Sequence, residues 1–175
     1  MKTDLLKKHV ANYFAHMKKV PKAFEKDLGE RQERIAYYRS WTAEKIRGMT
    51  AGDLYEYISR LWAMRIWGNK QYVVSKLIDD HGLKSVCDSI SDLLWSKAPL
   101  EKRWDTFRKT ISGIGPAMMS ELLCYVEPEK NLLWNRRAYV ALNYLGVPGL
   151  PRYNYQLTGA KHVELSTPRR QSSMR

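Results

Sequence analysis

Apolar residues recur at helical spacing along most of the chain. Over 3–20, Leu5, Leu6, Val10, Tyr13, Phe14, Met17 and Val20 fall on one stripe, which predicts an amphipathic helix ended by Pro21. A charge-rich helix over about 23–47 follows, with Phe24, Leu28, Ile35, Tyr38, Trp41 and Ile46 as its apolar positions and Gly48 as its stop. Thr50 with Asp53 three residues later has the form of a capping box and predicts a helix running through Trp67. Leu54, Tyr57, Ile58, Leu61, Trp62 and Met64 make that helix broadly apolar, so it reads as the central core helix.

After a break at 67–71 come a helix through Tyr72, Val73, Leu77 and Ile78, then a shorter one carrying Val86, Ile90, Leu93, Leu94 and Trp95. Beyond Pro99, Trp104, Phe107, Arg108 and Ile111 mark another, and Met118, Leu122, Leu123, Tyr125 and Val126 the next. A final helix is predicted over 136–144, stopped by Gly146 and Pro148. No stretch sustains the period-two alternation of a half-buried strand, so the predicted class is all-α. Three regions are expected: basic N-terminal helices (1–48), a helical core (49–151), and a polar, disordered tail (152–175).

Composition narrows the functional classes. The 175 residues hold 30 Lys+Arg against 18 Asp+Glu, a balance that points to polyanions as partners. Residues 1–48 carry 12 basic and 6 acidic side chains, residues 49–99 are balanced, and the excess resumes near the C-terminus. A solvated, solubilising face is the plainer reading of the same charge. No run of about 18 apolar residues occurs, so no membrane span is expected. The N-terminus lacks the apolar centre and small-residue cleavage site of a secretory signal, which predicts a cytoplasmic protein. Cys87 and Cys124 have no metal-ligand spacing and sit in apolar helical patterns, as buried free thiols would. His9 and His16 lie two turns apart without a further ligand at suitable spacing, so neither a metal nor another cofactor is expected.

The stretch Ser112-Gly113-Ile114-Gly115-Pro116-Ala117 carries the most chemistry. Two glycines one residue apart, with freedom to take positive φ, break one helix, and Pro116 suits the first turn of the next. Unpaired N–H groups at that helix start, favoured by the helix dipole, would hold a phosphate. An ordinary interhelical turn is the competing reading.

The helix, Gly-x-Gly, helix order is the sequence form of the helix-hairpin-helix DNA-binding element. Residues 52–147 resemble the core of the helix-hairpin-helix DNA glycosylases, the endonuclease III-like superfamily, in the order of their helices. That resemblance implies a glycosylase-like helical domain with an N-terminal helical arm. In catalytic members an aspartate opens a later helix and, in bifunctional ones, a lysine follows the second glycine. Alignment on Gly113 and Gly115 puts Ala117 at the lysine position and Asn135 at the aspartate position. An amide cannot supply the negative charge or act as base, and an alanine cannot form a Schiff base. The resemblance thus implies the scaffold without its catalytic residues.

What remains is binding. Gly113, Gly115 and Ala117, with Lys109, Arg108, Arg136 and Arg137, and Lys102 and Arg103 nearby, are the candidate phosphate contacts on double-stranded DNA. Trp67, Asn69, Trp134, Asn135 and Tyr139 are the candidates for a base pocket or wedge, since enzymes on this scaffold extrude a base and stack it. Trp62 and Tyr72 are further aromatics in that set, with core burial the competing role. The run from Leu54 to Lys70, with Gly113–Ala117 and Leu133-Trp134-Asn135, also looks like the N-terminal specificity modules of McrB-like restriction NTPases. This second resemblance implies an NTPase or nuclease partner subunit, because no phosphate loop of the Gly-x-x-x-x-Gly-Lys-[Ser/Thr] form is present.

Three functions stay open on the residues alone. The first is a non-catalytic DNA-binding module that reads a modified or damaged base. The second is an active glycosylase or lyase with a displaced carboxylate, for which Asp105, Glu121 and Glu127 are nearest in sequence. The third is a protein or RNA interaction domain.

Overall fold

The structure is a computed structural model and describes residues 1–167. Helices α1 (Thr3–Lys19), α2 (Pro21–Arg39), α3 (Ala43–Arg47) and α4 (Ala51–Ser59) lead to a 3-10 turn at Trp62–Ile66. They are followed by α5 (Lys70–His81), α6 (Leu83–Trp95), α7 (Leu100–Thr110), α8 (Pro116–Val126) and α9 (Arg136–Tyr144). A second 3-10 turn at Asn154–Gln156 and α10 (Gly159–Ser166) complete the order. The class is all-α, with no strand among the described residues.

Local chemistry explains the boundaries that periodicity misplaced. The helix expected over 23–47 is two helices: α2 ends at Arg39, and Thr42 restarts the chain as the N-cap of α3, accepting the Lys45 N–H. Thr50 and Asp53 form the expected capping box, but α4 stops at Ser59 rather than continuing to Trp67. Leu61 is extended, and Trp62–Ile66 winds as a 3-10 turn whose leading N–H groups are taken by a side chain from elsewhere in the fold.

The centre of the molecule is α8, not α4. Nine of its side chains are buried, from Pro116 through Val126, whereas α4 buries one face through Leu54, Tyr57 and Ile58. Around α8 an aromatic cluster fastens α2 and α4: Tyr38 stacks on Tyr125 at 4.8 Å and donates its hydroxyl to the Tyr57 carbonyl at 2.9 Å. Arg39 adds a bond from Nε to the Val126 carbonyl at 3.0 Å. The C-terminal half of α2 and all of α3 therefore share the core assigned in sequence to 49–151, through Tyr38 and Ile46, which are fully buried. In contrast α1 buries nothing and leaves Val10, Tyr13 and Phe14 exposed.

Residues 152–166 are not the expected tail. Leu157, Gly159 and His162 are buried, and α10 lies along α7. Trp104 donates its indole N–H to the Leu157 carbonyl at 3.1 Å and stacks on His162 at 4.4 Å. Asp105 accepts the Gly159 N–H at 2.8 Å, and a Cβ at Gly159 would lie 2.2 Å from the Glu101 carbonyl oxygen, so only glycine fits there. Truncating the fully buried Trp104 to alanine would cost about 3–5 kcal/mol. The disorder expected for 168–175 lies outside the described residues.

Candidate nucleic-acid interface

The hairpin is built by burial on both sides of an exposed tip. Ile111 and Ile114 point into the core while Ser112, Gly113 and Gly115 face out. Only Gly113 uses the freedom expected of both glycines, at φ +90°; Gly115 is extended at φ −92° and serves as the N-cap of α8 without a side-chain cap. Leu77 and His81 of α5 support the turn from beneath. A Cβ at Gly113 would sit 3.6 Å from the Leu77 side chain, and His81 Nε2 accepts the Ser112 backbone N–H at 3.1 Å.

The N–H groups of Gly113, Ile114, Gly115, Ala117 and Met118 have no acceptor among the described residues. They cluster where the dipole of the 11-residue α8 is positive. A Cβ at Gly115 would meet nothing within 4 Å. The chain's own conformation therefore does not require glycine there.

The expected phosphate contacts divide on the structure. Lys109, Arg136 and Arg137 are exposed and in no ion pair among the described residues, and the two arginines stand in the first turn of α9, where cations oppose the helix dipole. Arg108 is a structural residue instead. Its guanidinium donates to the carbonyls of Asn154, Tyr155 and Leu157, at 2.9 Å for Leu157, and so is committed to holding the C-terminal segment. Arg103 is likewise spent on the Leu93 carbonyl at 2.7 Å, while Lys102 stays exposed.

The expected base-pocket residues do not converge. Trp134 is 2% exposed and locked into the core, its backbone N–H donating to Ser120 Oγ at 2.9 Å. Tyr139 is half-buried against Trp134, ring centroids 6.2 Å apart. Asn69 caps α5, accepting the Tyr72 N–H at 2.9 Å, and Asn135 caps α9 by accepting the Ala138 N–H at 2.9 Å. Trp67 is half-exposed beyond the 3-10 turn, and Ile66 and Tyr72 are exposed as well. Of the set, Asn135 alone lines the groove of about 840 Å³ that runs between α2, α8 and α9.

That groove also takes in Trp62, Arg137 and Glu121, which the sequence offered as a pocket aromatic, a phosphate contact and a displaced carboxylate, together with Arg34, which it did not single out. Trp62 is half-exposed, with the Arg34 and Arg65 guanidinium groups 4.7 and 4.2 Å from its ring. Its spacing matched a continuous apolar helix, which hid the 3-10 turn that carries it outward. Glu121 is buried and supplies the cap of that turn: it accepts from Trp62 N at 2.5 Å, Ala63 N at 2.9 Å and Tyr125 Oη at 3.0 Å. Burial raises its carboxyl above the usual range, against the lowering effect of those three donors. Asp105 and Glu127 are engaged elsewhere, the first with Gly159 and the second in an ion pair with Lys130.

Both cysteines are free, with Cys87 buried and Cys124 half-buried, and burial pushes each thiol up to about 11. His9 and His16 are exposed, and no group of metal-ligating side chains occurs among the described residues. No described helix is long and apolar enough to cross a membrane. No protein-family model, curated protein or solved structure matches the chain.

Proposed function

We propose that this chain is a non-catalytic DNA-binding module of the helix-hairpin-helix kind, built on a glycosylase-like scaffold, that grips a backbone phosphate of double-stranded DNA at the α7–α8 hairpin. The observation that carries the reading is the set of unpaired N–H groups at the tip, from Gly113 to Met118, beside a Gly115 whose missing side chain leaves open space. Lys109 on the last turn of α7 adds charge, and the cations that oppose the α9 dipole, Arg136 and Arg137, suit an anion bound at that end of the molecule. A modified or damaged base is the feature such a module would read, with Trp67 as the wedge. Any strand cleavage belongs to an NTPase or nuclease partner subunit.

Asn135 and Ala117 favour binding over catalysis, because Asn135 spends its side-chain oxygen on a helix cap and Ala117 has no reactive group. Equilibrium binding of a labelled duplex, with and without an abasic-site analogue and across a salt series, tests the reading. Gly115→Val leaves the fold intact, since its backbone is extended and its Cβ site is empty, yet it covers the N–H groups. The expected result is a loss of about tenfold or more in duplex affinity, comparable to losing a charge-assisted contact of about 1.5–3 kcal/mol. Unchanged affinity in the folded variant sinks the proposal, and cleaved strands recovered from the wild-type reaction would return Glu121 and an active glycosylase to consideration.

A further inference from the structure

Next to the groove, across Trp62, lies a second cavity of about 480 Å³ between α2, α4 and the 3-10 turn. Four cations line it, Arg34, Arg60, Arg65 and Lys70, against two carboxylates, Glu30 and Glu33. None of Arg34, Arg65 and Lys70 is in an ion pair within 4.0 Å among the described residues, and Arg60 reaches Glu56 only at 3.9 Å. Something other than carboxylates fixes them. Arg34 and Arg65 are held by the Trp62 ring, Arg60 lies 4.4 Å from the Tyr37 ring, and Lys70 donates to the Ser59 carbonyl at 3.1 Å. Ser59 lines the same cavity, and its buried hydroxyl has no hydrogen-bond partner among the described residues.

Aromatic faces orient guanidinium groups without neutralising them, so their N–H donors stay available in the cavity. Four cations gathered by rings and a carbonyl from different elements outnumber the two carboxylates of the same lining, and a tetrahedral oxyanion calls for several such donors. We propose that this cavity is a phosphate-binding site, separate from the hairpin, in which Arg34, Arg65 and Lys70 hold one backbone phosphate of the bound DNA. The inference rests on the DNA-binding reading, and it brings α2, from the region assigned in sequence to an N-terminal arm, into the interface.

The test compares Arg34→Gln/Arg65→Gln with Lys76→Gln/Lys84→Gln, which removes equal charge from lysines already paired with Asp80 and Asp88. Duplex affinity is measured across a salt series for both and for the wild type, with circular dichroism as the check on folding. The arginine pair is expected to reduce the slope of log affinity against log salt by about one, while the lysine control matches the wild type. In parallel, inorganic phosphate and pyrophosphate are titrated against the Trp62 indole resonance, assigned with Trp62→Phe. Duplex binding with equal slopes in all three proteins, and an indole resonance unmoved by either anion, overturns the site while leaving the hairpin reading standing. An indole shift abolished by the arginine substitutions, in a protein that binds no duplex, would retain the phosphate site and discard its DNA source. Restoration of the slope by Arg34→Lys/Arg65→Lys would show that charge suffices there.

Discussion

His162 makes the hold of α10 on α7 pH-dependent. Its ring is 1% exposed and stacked on Trp104, and neither nitrogen has a hydrogen-bond partner among the described residues. Burial of an imidazole that cannot be solvated when charged depresses its pKa from 6.5 to about 4. Between those values the unfolded chain binds the proton and the folded chain does not, so stability falls as pH drops through 6.5 and the loss is complete below about 4. At roughly 1.4 kcal/mol per pH unit, the whole effect is about 3 kcal/mol, of which about 2 kcal/mol has been lost by pH 5. His162→Phe keeps the stack and removes the titration. Urea unfolding of both proteins at pH 7 and pH 5 isolates the contribution, since the carboxylates titrate alike in each. The wild type should lose about 2 kcal/mol more than the variant over that interval. Parallel losses would refute the assignment of a neutral, unsolvated imidazole at this position.

Two further outcomes follow from close contacts. Gly159→Ala sets a Cβ against the Glu101 backbone, where no flexible side chain can yield, and should destabilise by about 1–3 kcal/mol or detach α10, visible as increased amide exchange in α7. Glu121→Gln places an amide N–H against either the Trp62 or the Ala63 N–H and should cost about 1–3 kcal/mol in urea unfolding, together with a change in Trp62 fluorescence. If Glu121→Gln were as stable as the wild type, the carboxylate would not be what caps the 3-10 turn.

The helices were legible where local rules settle the matter. The capping box at Thr50, Pro116 at a helix start and Gly82 after α5 all stand where the residue types dictate. What escaped were features made by residues distant in sequence. Trp62 matches the apolar stripe of α4, whereas the 3-10 turn that carries its ring outward is capped by the Glu121 carboxylate, 59 residues away. Trp134 borders a loop, as a wedge would, yet the Ser120 hydroxyl draws that loop into the core. The polar composition after residue 151 concealed α10 because its anchoring rests on Leu157, Gly159 and His162 rather than on an apolar stripe. Arg34 and Arg65 had no local mark at all, since what they share is contact with the Trp62 ring.

The clasp of α10 on α7 also sets an order on biosynthesis. The chain leaves the ribosome N-terminus first, and Trp104 is separated from its Leu157 carbonyl partner by 53 residues. Through the interval in which α8 and α9 are made, the flank of α7 that Trp104 and Arg108 occupy has no cover. The helix leading into the hairpin thus acquires its final support after the hairpin itself has emerged, and a nascent chain stalled before Asn154 would display an indole and an unpaired guanidinium, a surface suited to holding by a chaperone.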